Sequence, residues 1–261
     1  MNDILYILID KFVIFFLILV RMSSLFIITP VFGTKNVPSY LKITFAFFCS
    51  VILITLMKDV NVEFTNIYAY AALVAKELAV GLVLGYTSYL VFSALYFAGQ
   101  IIDTQIGFGL VNVLDPLQDT QVPLTGNFMY IITILFFMLI NGHYILLTAL
   151  FKSYNVIPIN SFVFNDVLFY NILNIFFETF AIGFKISIPV LAAALLAEIA
   201  LGILAKTVPQ MNVFVIGMPL KVGVGLLTLL AMMPMFISTM DVTFDKMYSY
   251  IYLIIKSMAK G

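Results

Sequence analysis

The sequence predicts an all-α, polytopic membrane protein of about six apolar segments, with broken helices and hairpins. Three observations predict it. Apolar residues make up 63% of the 261-residue chain and charged residues 10%, against about half and a quarter in an ordinary soluble domain. Six long apolar runs recur along the chain. Glycine and proline fall inside those runs as well as between them. Mean hydropathy is +1.14. The formal net charge is zero, which offers nucleic acid no electrostatic footing. The whole of 1–261 reads as one integral membrane domain.

The runs are 12–28, 43–57, 67–102, 128–151, 167–205 and 222–237. The first is no cleavable signal. Asp3 and Asp10 precede or open it, and the first alanine of the chain is Ala46, so no small-residue cleavage site follows. It is expected to stay as a membrane helix. A span needs about 20 apolar residues, so the second and sixth runs are short. The third and fifth are too long. As helices they would measure roughly 54 and 58 Å, against a hydrocarbon core of about 30 Å. Each must fold back as a hairpin or continue beyond the bilayer, and protein must cover any turn at membrane depth. Breakers are frequent: Pro30, Gly33 and Pro38 end the first run, Gly81 and Gly85 lie in the third, Asn141-Gly142 splits the fourth, and Pro189 sits in the fifth. Loop charge is too evenly shared to set an orientation. From Val242 onward, Phe244, Met247, Tyr248, Ile251, Ile255 and Met258 recur at helical spacing, with Lys256 and Lys260 near the end. Residues 241–261 are therefore expected to form an amphipathic helix on the membrane surface or a partner.

Six charged residues lie in or beside apolar runs: Arg21, Lys76, Glu77, Glu178, Lys185 and Glu198. Each costs several kcal/mol if unpaired at mid-membrane. None has an opposite charge three or four residues away, the spacing a helical pair requires. Their partners must be on other helices, on other subunits, or in water. A proton relay is one reading and structural pairing the other. The second fits better, because relays align several acids and histidines.

Enzyme chemistry is poorly supported. His143 is the only histidine, and it follows Asn-Gly, which suits a turn at the interface. Cys49 is the only cysteine, so no intrachain disulfide or cysteine-based metal site is possible. No catalytic, cofactor-binding or metal-binding residue is identifiable, and Gly107-Phe108-Gly109 lacks the Lys-Ser/Thr of a phosphate loop.

One polar island interrupts the chain at 103–127. It holds Asp103, Asp115 and Asp119 but neither Lys nor Arg. Unstructured connections this long are uncommon in compact proteins and are usually functional or disordered. Disorder is disfavoured, since Ile106, Phe108, Leu110, Val111, Val113 and Leu114 are too apolar to remain solvated. Gly107 and Gly109 permit close backbone packing or positive φ. Asp115-Pro116 starts a turn.

The punctuation residues, read in order, resemble the FliR family of the flagellar type III export apparatus and its virulence-secretion counterpart. The matching elements are Arg21, Pro30, Gly33 and Val37-Pro38; Glu77, Gly81 and Gly85; Gln105-Ile106-Gly107-Phe108-Gly109 with Asp115-Pro116; Asn141-Gly142-His143, Ser153, Pro158 and Pro189; and Pro209-Gln210-Met211-Asn212-Val213-Phe214, Gly217 and Pro219-Leu220-Lys221. The resemblance implies a structural and gating subunit of a protein export channel in the bacterial inner membrane, at the flagellar basal body. It implies FliP-like and FliQ-like small membrane partners in a helical ring, and FlhB-like and FlhA-like export components. Unfolded flagellar subunits would pass through, and no cofactor is implied. The ring would stand largely above the bilayer plane. The pore-occluding loop of the family carries over to Gln105, Ile106, Gly107, Phe108, Gly109, Leu110, Asp115 and Pro116. Pro209, Gln210, Asn212, Phe214 and Pro219 become candidate subunit contacts. A secondary transporter for a small solute is the rival reading, as broken helices and intramembrane charges also fit it. It would be active alone, whereas an export subunit would not.

Overall fold

A computed structural model describes residues 2–34, 37–57, 62, 66–108, 123–210 and 212–259. Every regular element among them is helical. The helices are α1 (Asn2–Ile28), α2 (Ser39–Leu56), α3 (Ile67–Ile106), α4 (Leu124–Leu139), α5 (Gly142–Val156), α6 (Asp166–Thr207) and α7 (Val213–Met258). Five are long and apolar enough to cross a membrane, six if the bent pair α4–α5 serves as one span.

The oversized runs had two solutions, a hairpin or a helix longer than the bilayer is thick. The chain takes the second. α3 is one helix of 40 residues and α6 one of 42. Gly81, Gly85 and Pro189 do not interrupt them, so the expected hairpins are absent from both. Glycine costs a helix only about 1 kcal/mol relative to alanine, which packing offsets. Proline is tolerated in apolar helices when neighbours satisfy the freed carbonyl. The short sixth run is likewise absorbed. α7 carries Pro219 and Pro234 within its 46 residues, and the 241–258 tail is its continuation. The apolar face expected on a membrane surface is instead covered by the chain: Met247, Ile251, Ile254, Ile255 and Met258 are all buried. One break does occur where the sequence places it. Asn141 adopts φ 56°, a left-handed conformation that asparagine tolerates better than most residues, and α5 starts at Gly142.

Contacts gather the chain into two compact units. The first comprises Met1–Leu90, Asn141–Phe176 and Lys246–Gly261. Its core follows helical periodicity: Ile14, Leu17, Ile18, Arg21, Met22 and Leu25 form one buried stripe along α1. Val80 and Leu84 of α3 and Leu146 and Leu150 of α5 are also fully or nearly fully buried in this unit. The second comprises Val91–Ile140 and Phe177–Asp245. There Phe92, Phe137 and Phe244 form a triangle of rings with centroids 5.1–5.4 Å apart. Several serine and threonine hydroxyls on the apolar helices are satisfied locally: Thr29, Ser50, Thr87 and Thr228 each donate to the carbonyl four residues back. These side chains therefore enter apolar surroundings without needing a distant partner.

Candidate functional site

The first unit contains a buried ion pair. Arg21 Nε donates to Glu77 Oε2 at 2.6 Å, and both side chains are essentially sealed from solvent, at 0% and 1% exposure. A buried charge must be paired and hydrogen-bonded to be tolerable. Arg21 is satisfied on every side. Nη1 donates to Ser153 Oγ at 3.2 Å, both Nη atoms donate to the Ile157 carbonyl at 3.1 Å, and the guanidinium lies 3.9 Å from the Tyr154 ring centroid. Glu77 Oε1 accepts the Asn160 amide at 3.4 Å. Asn160 has φ 73°, and its side-chain oxygen accepts from Lys76 Nζ at 2.7 Å. Glycines let the two helices meet. A Cβ on Gly81 would overlap Ser24 Oγ and the Arg21 carbonyl, and one on Gly85 would press on the Leu25 carbonyl at 3.1 Å. Arg21, Glu77, Gly81, Gly85, Ser153 and Pro158, scattered over the sequence, thus come together around one cluster or its flanking turn.

The second unit holds the base of the island. α3 ends in a glycine cap. Gly107 has φ +102° and open space beside its Cα, so backbone conformation rather than close packing requires glycine there. The amides of Gly107 and Phe108 both donate to the Asp103 carbonyl, at 3.1 and 3.0 Å, the closure of a left-handed helix end. α4 restarts after Pro123, a residue with no side chain to cap the helix. Its free amides are capped from a distance. Thr125 N donates to both oxygens of Asp103, at 3.0 and 2.9 Å, and Gly126 N to Oδ2 at 3.3 Å. These are the second and third helical positions, where an N-cap side chain would bond. Asp103 is 5% exposed, and among the described residues no cation pairs with it. The positive end of α4 offsets its charge instead. Behind the clasp, backbones touch: a Cβ on Gly99 would lie within 2.6 Å of Gly126 N. On the other side Ile106 fills the space of a missing side chain, its Cδ1 2.6 Å from where a Gly225 Cβ would stand.

Of the island residues singled out by sequence, Gln105 and Phe108 are half-buried and Ile106 is buried at the end of α3. Gly109, Leu110, Asp115 and Pro116 lie outside the described residues. Glu198 pairs with Lys221 Nζ at 3.2 Å, linking α6 to α7. Glu178 and Lys185 are both exposed on α6. Pro209, Gln210 and Asn212 lie exposed on the α6–α7 turn and Pro219 is exposed on α7, while the Phe214 side chain is outside the described residues. Sequence reading missed the roles of Asp103, Gly99, Gly126 and Gly225. One signal pointed to the first: a helix opening on Pro123 has no cap of its own and needs an acceptor from elsewhere.

The bacterial export proteins, family 1, match residues 12–247. The flagellar biosynthetic protein FliR of Bacillus subtilis is 41% identical over 86% of this chain and 88% of its own. FliR of Escherichia coli is 26% identical over 94% of each. The Yop proteins translocation protein T of Yersinia pestis is 32% identical over 82% of this chain and 83% of its own. The chain belongs to the FliR family of bacterial export proteins, non-enzymatic components of the flagellar type III export apparatus in the inner membrane.

Proposed function

We propose that the chain is a structural and gating subunit of a multi-subunit export channel that passes unfolded flagellar proteins. Its neighbours would be FliP-like and FliQ-like membrane proteins, with FlhB-like and FlhA-like components beside them. The observation that carries this reading is the surface of α6. The helix has 42 residues, and only 11% of its apolar window is buried within the chain. At 1.5 Å per residue it is about 63 Å long, roughly twice the hydrocarbon core. Phe169, Phe177, Phe180, Leu196, Ile199 and Ile203 are exposed along it. A bilayer has room for only about half of that surface, so other protein must cover the rest. This supports an assembly that rises out of the membrane plane. The exposed Pro209, Gln210, Asn212 and Pro219 are the proposed subunit contacts at one end of α6 and the start of α7.

The island is the proposed gate. Residues 105–121 would lie in the channel and close it at rest, with Ile106, Phe108, Leu110 and Val111 as an apolar body that excludes water and ions. The absence of Lys and Arg leaves no strong cationic anchor, which suits a segment that must move aside.

Co-expression tests the assembly reading. Small membrane partners of the FliP and FliQ type should raise the yield of this chain and give one large detergent-stable complex. A monodisperse monomer that moves a small solute would contradict it and favour a secondary transporter.

A further inference from the structure

We propose that the α1–α2 hairpin holds one anionic phospholipid, with an acyl chain in an apolar cavity and the phosphate on Lys42. The inference rests on α1 and α2 lying in the bilayer, and not on any closing role of the island. Each helix offers an 18-residue apolar window, Lys11–Ile28 and Ser39–Leu56. At 1.5 Å per residue that is about 27 Å, close to the hydrocarbon thickness of about 30 Å. The end of α1 and the start of α2 therefore reach one membrane face together, at headgroup depth. The turn between them is tightly closed. The Phe32 and Gly33 amides both donate to the Thr29 carbonyl, at 3.1 and 2.6 Å. A Cβ on Gly33 would overlap the carbonyl oxygens of Ile27 and Thr29. This turn sets Phe32 beside Phe26 of α1 and Phe45 of α2, with ring centroids 5.0–5.7 Å apart.

The three rings, with Val37, Leu41 and Phe48, line a cavity of about 300 Å³, at the small end of ligand pockets. Phe26 is buried at its base, while Leu41 and Phe48 are exposed at its mouth. The stem of Lys42 completes the wall. Lys42 Nζ donates to the Thr34 carbonyl at 3.1 Å, and an ammonium has further donors for an anion. No Asp or Glu occurs in 11–58, and among the described residues no carboxylate pairs with Lys42. An acyl chain suits the carbon walls, and a phosphate at headgroup depth suits the ammonium at their edge. An apolar side chain from a partner would fill the cavity without bringing Lys42 an anion.

The test uses the full complex in nanodiscs of phosphatidylcholine, doped with phosphatidylglycerol that carries a diazirine on one acyl chain. Photolysis and peptide mapping should place label on Phe45 and Phe48. Ile52, exposed on α2 outside the cavity lining, reports general contact with lipid. Lys42→Gln should lower labelling of the cavity about fivefold, the weight of one basic residue at an anionic surface, and leave Ile52 unchanged. Lys42→Arg should keep it. With the wild-type chain, diazirine phosphatidylcholine should label the cavity about as weakly as the anionic probe labels Lys42→Gln. Equal cavity labelling in wild type and Lys42→Gln would overturn the headgroup assignment. An unlabelled cavity beside a labelled Ile52 would show that protein fills it, and would overturn the proposal with the membrane placement intact. No label at either place would mean that protein covers α2, and the membrane placement would fall with the proposal.

Discussion

Glu77 and Asp103 are both buried carboxylates on α3, and the chain neutralises them in different ways. Glu77 faces a guanidinium that is itself saturated by Ser153, Ile157 and Tyr154. Among the described residues, the Asp103 carboxylate accepts from backbone amides at the positive end of a helix and has no cationic partner. In a low-dielectric interior a full counter-charge is worth far more than a helix terminus, whose effect is about 0.3–2 kcal/mol. The first arrangement makes a strut that does not open. The second caps α4 from α3 without a counter-charge. The chain spends its strongest buried interaction on fixing α1, α3 and the α5–α6 turn, and its weaker one beside the segment proposed to move.

The largest effect that would sharpen this contrast is removal of one member of the ion pair. Arg21→Ala leaves Glu77 buried without a counter-charge, and the expected cost is about 3–5 kcal/mol. The complex should not accumulate, as judged by its yield from membranes. Arg21→Met with Glu77→Met should recover much of that yield, because apolar side chains replace a buried pair with little loss. Arg21→Lys should not, since an ammonium cannot make the same set of forked contacts. If Arg21→Ala assembles normally, the strut reading is wrong.

Next come the glycines. Gly99→Val forces a side chain into the backbone contact with Gly126, at an overpacking cost of about 1–3 kcal/mol. Gly202→Val, with open space at its Cβ, should cost far less. Thermal stability of the detergent-purified complex separates the two. Equal effects would mean that the α3–α4 contact is not close.

The paired conservative changes bear on the comparison itself. Glu77→Gln should harm assembly more than Asp103→Asn. The first strands a buried guanidinium. The second keeps an acceptor for the α4 amides, so its loss is about 1 kcal/mol. The reverse order would show that the clasp is the more rigid element.

The smallest effect is expected at Lys221→Gln. Its partner Glu198 is 61% exposed in the chain. Pairs of that kind contribute about 0–1 kcal/mol in water, so assembly should be close to wild type. A severe defect would indicate that neighbouring subunits bury the pair.

How much of this was legible in the sequence depends on the kind of interaction. The all-helical class and the six runs were plain, because composition and run length report the solvent directly. The break at Asn141 was plain too, since Asn-Gly suits a left-handed residue. The continuity of α3 and α6 was not. Gly81, Gly85 and Pro189 look like breakers, and only packing around them shows that the helix survives. The island was drawn too wide at both ends, since 103–106 continue α3 and 124–127 open α4; the bond between Asp103 and Thr125 was not legible, because they lie 22 residues apart with no periodicity to link them. In the same way, the lack of i,i+4 partners predicted that Arg21 and Glu77 pair elsewhere. It could not show that they pair with each other, 56 residues apart.

The central claim is that the island closes the channel. The most direct test is to delete 110–113 and measure ion conductance across the membrane of cells making the full complex, with assembly checked in parallel. The account predicts an assembled complex that leaks at rest, where the wild type is tight. An assembled deletion complex that stays tight to ions, at rest and during export, would place the seal elsewhere and contradict it.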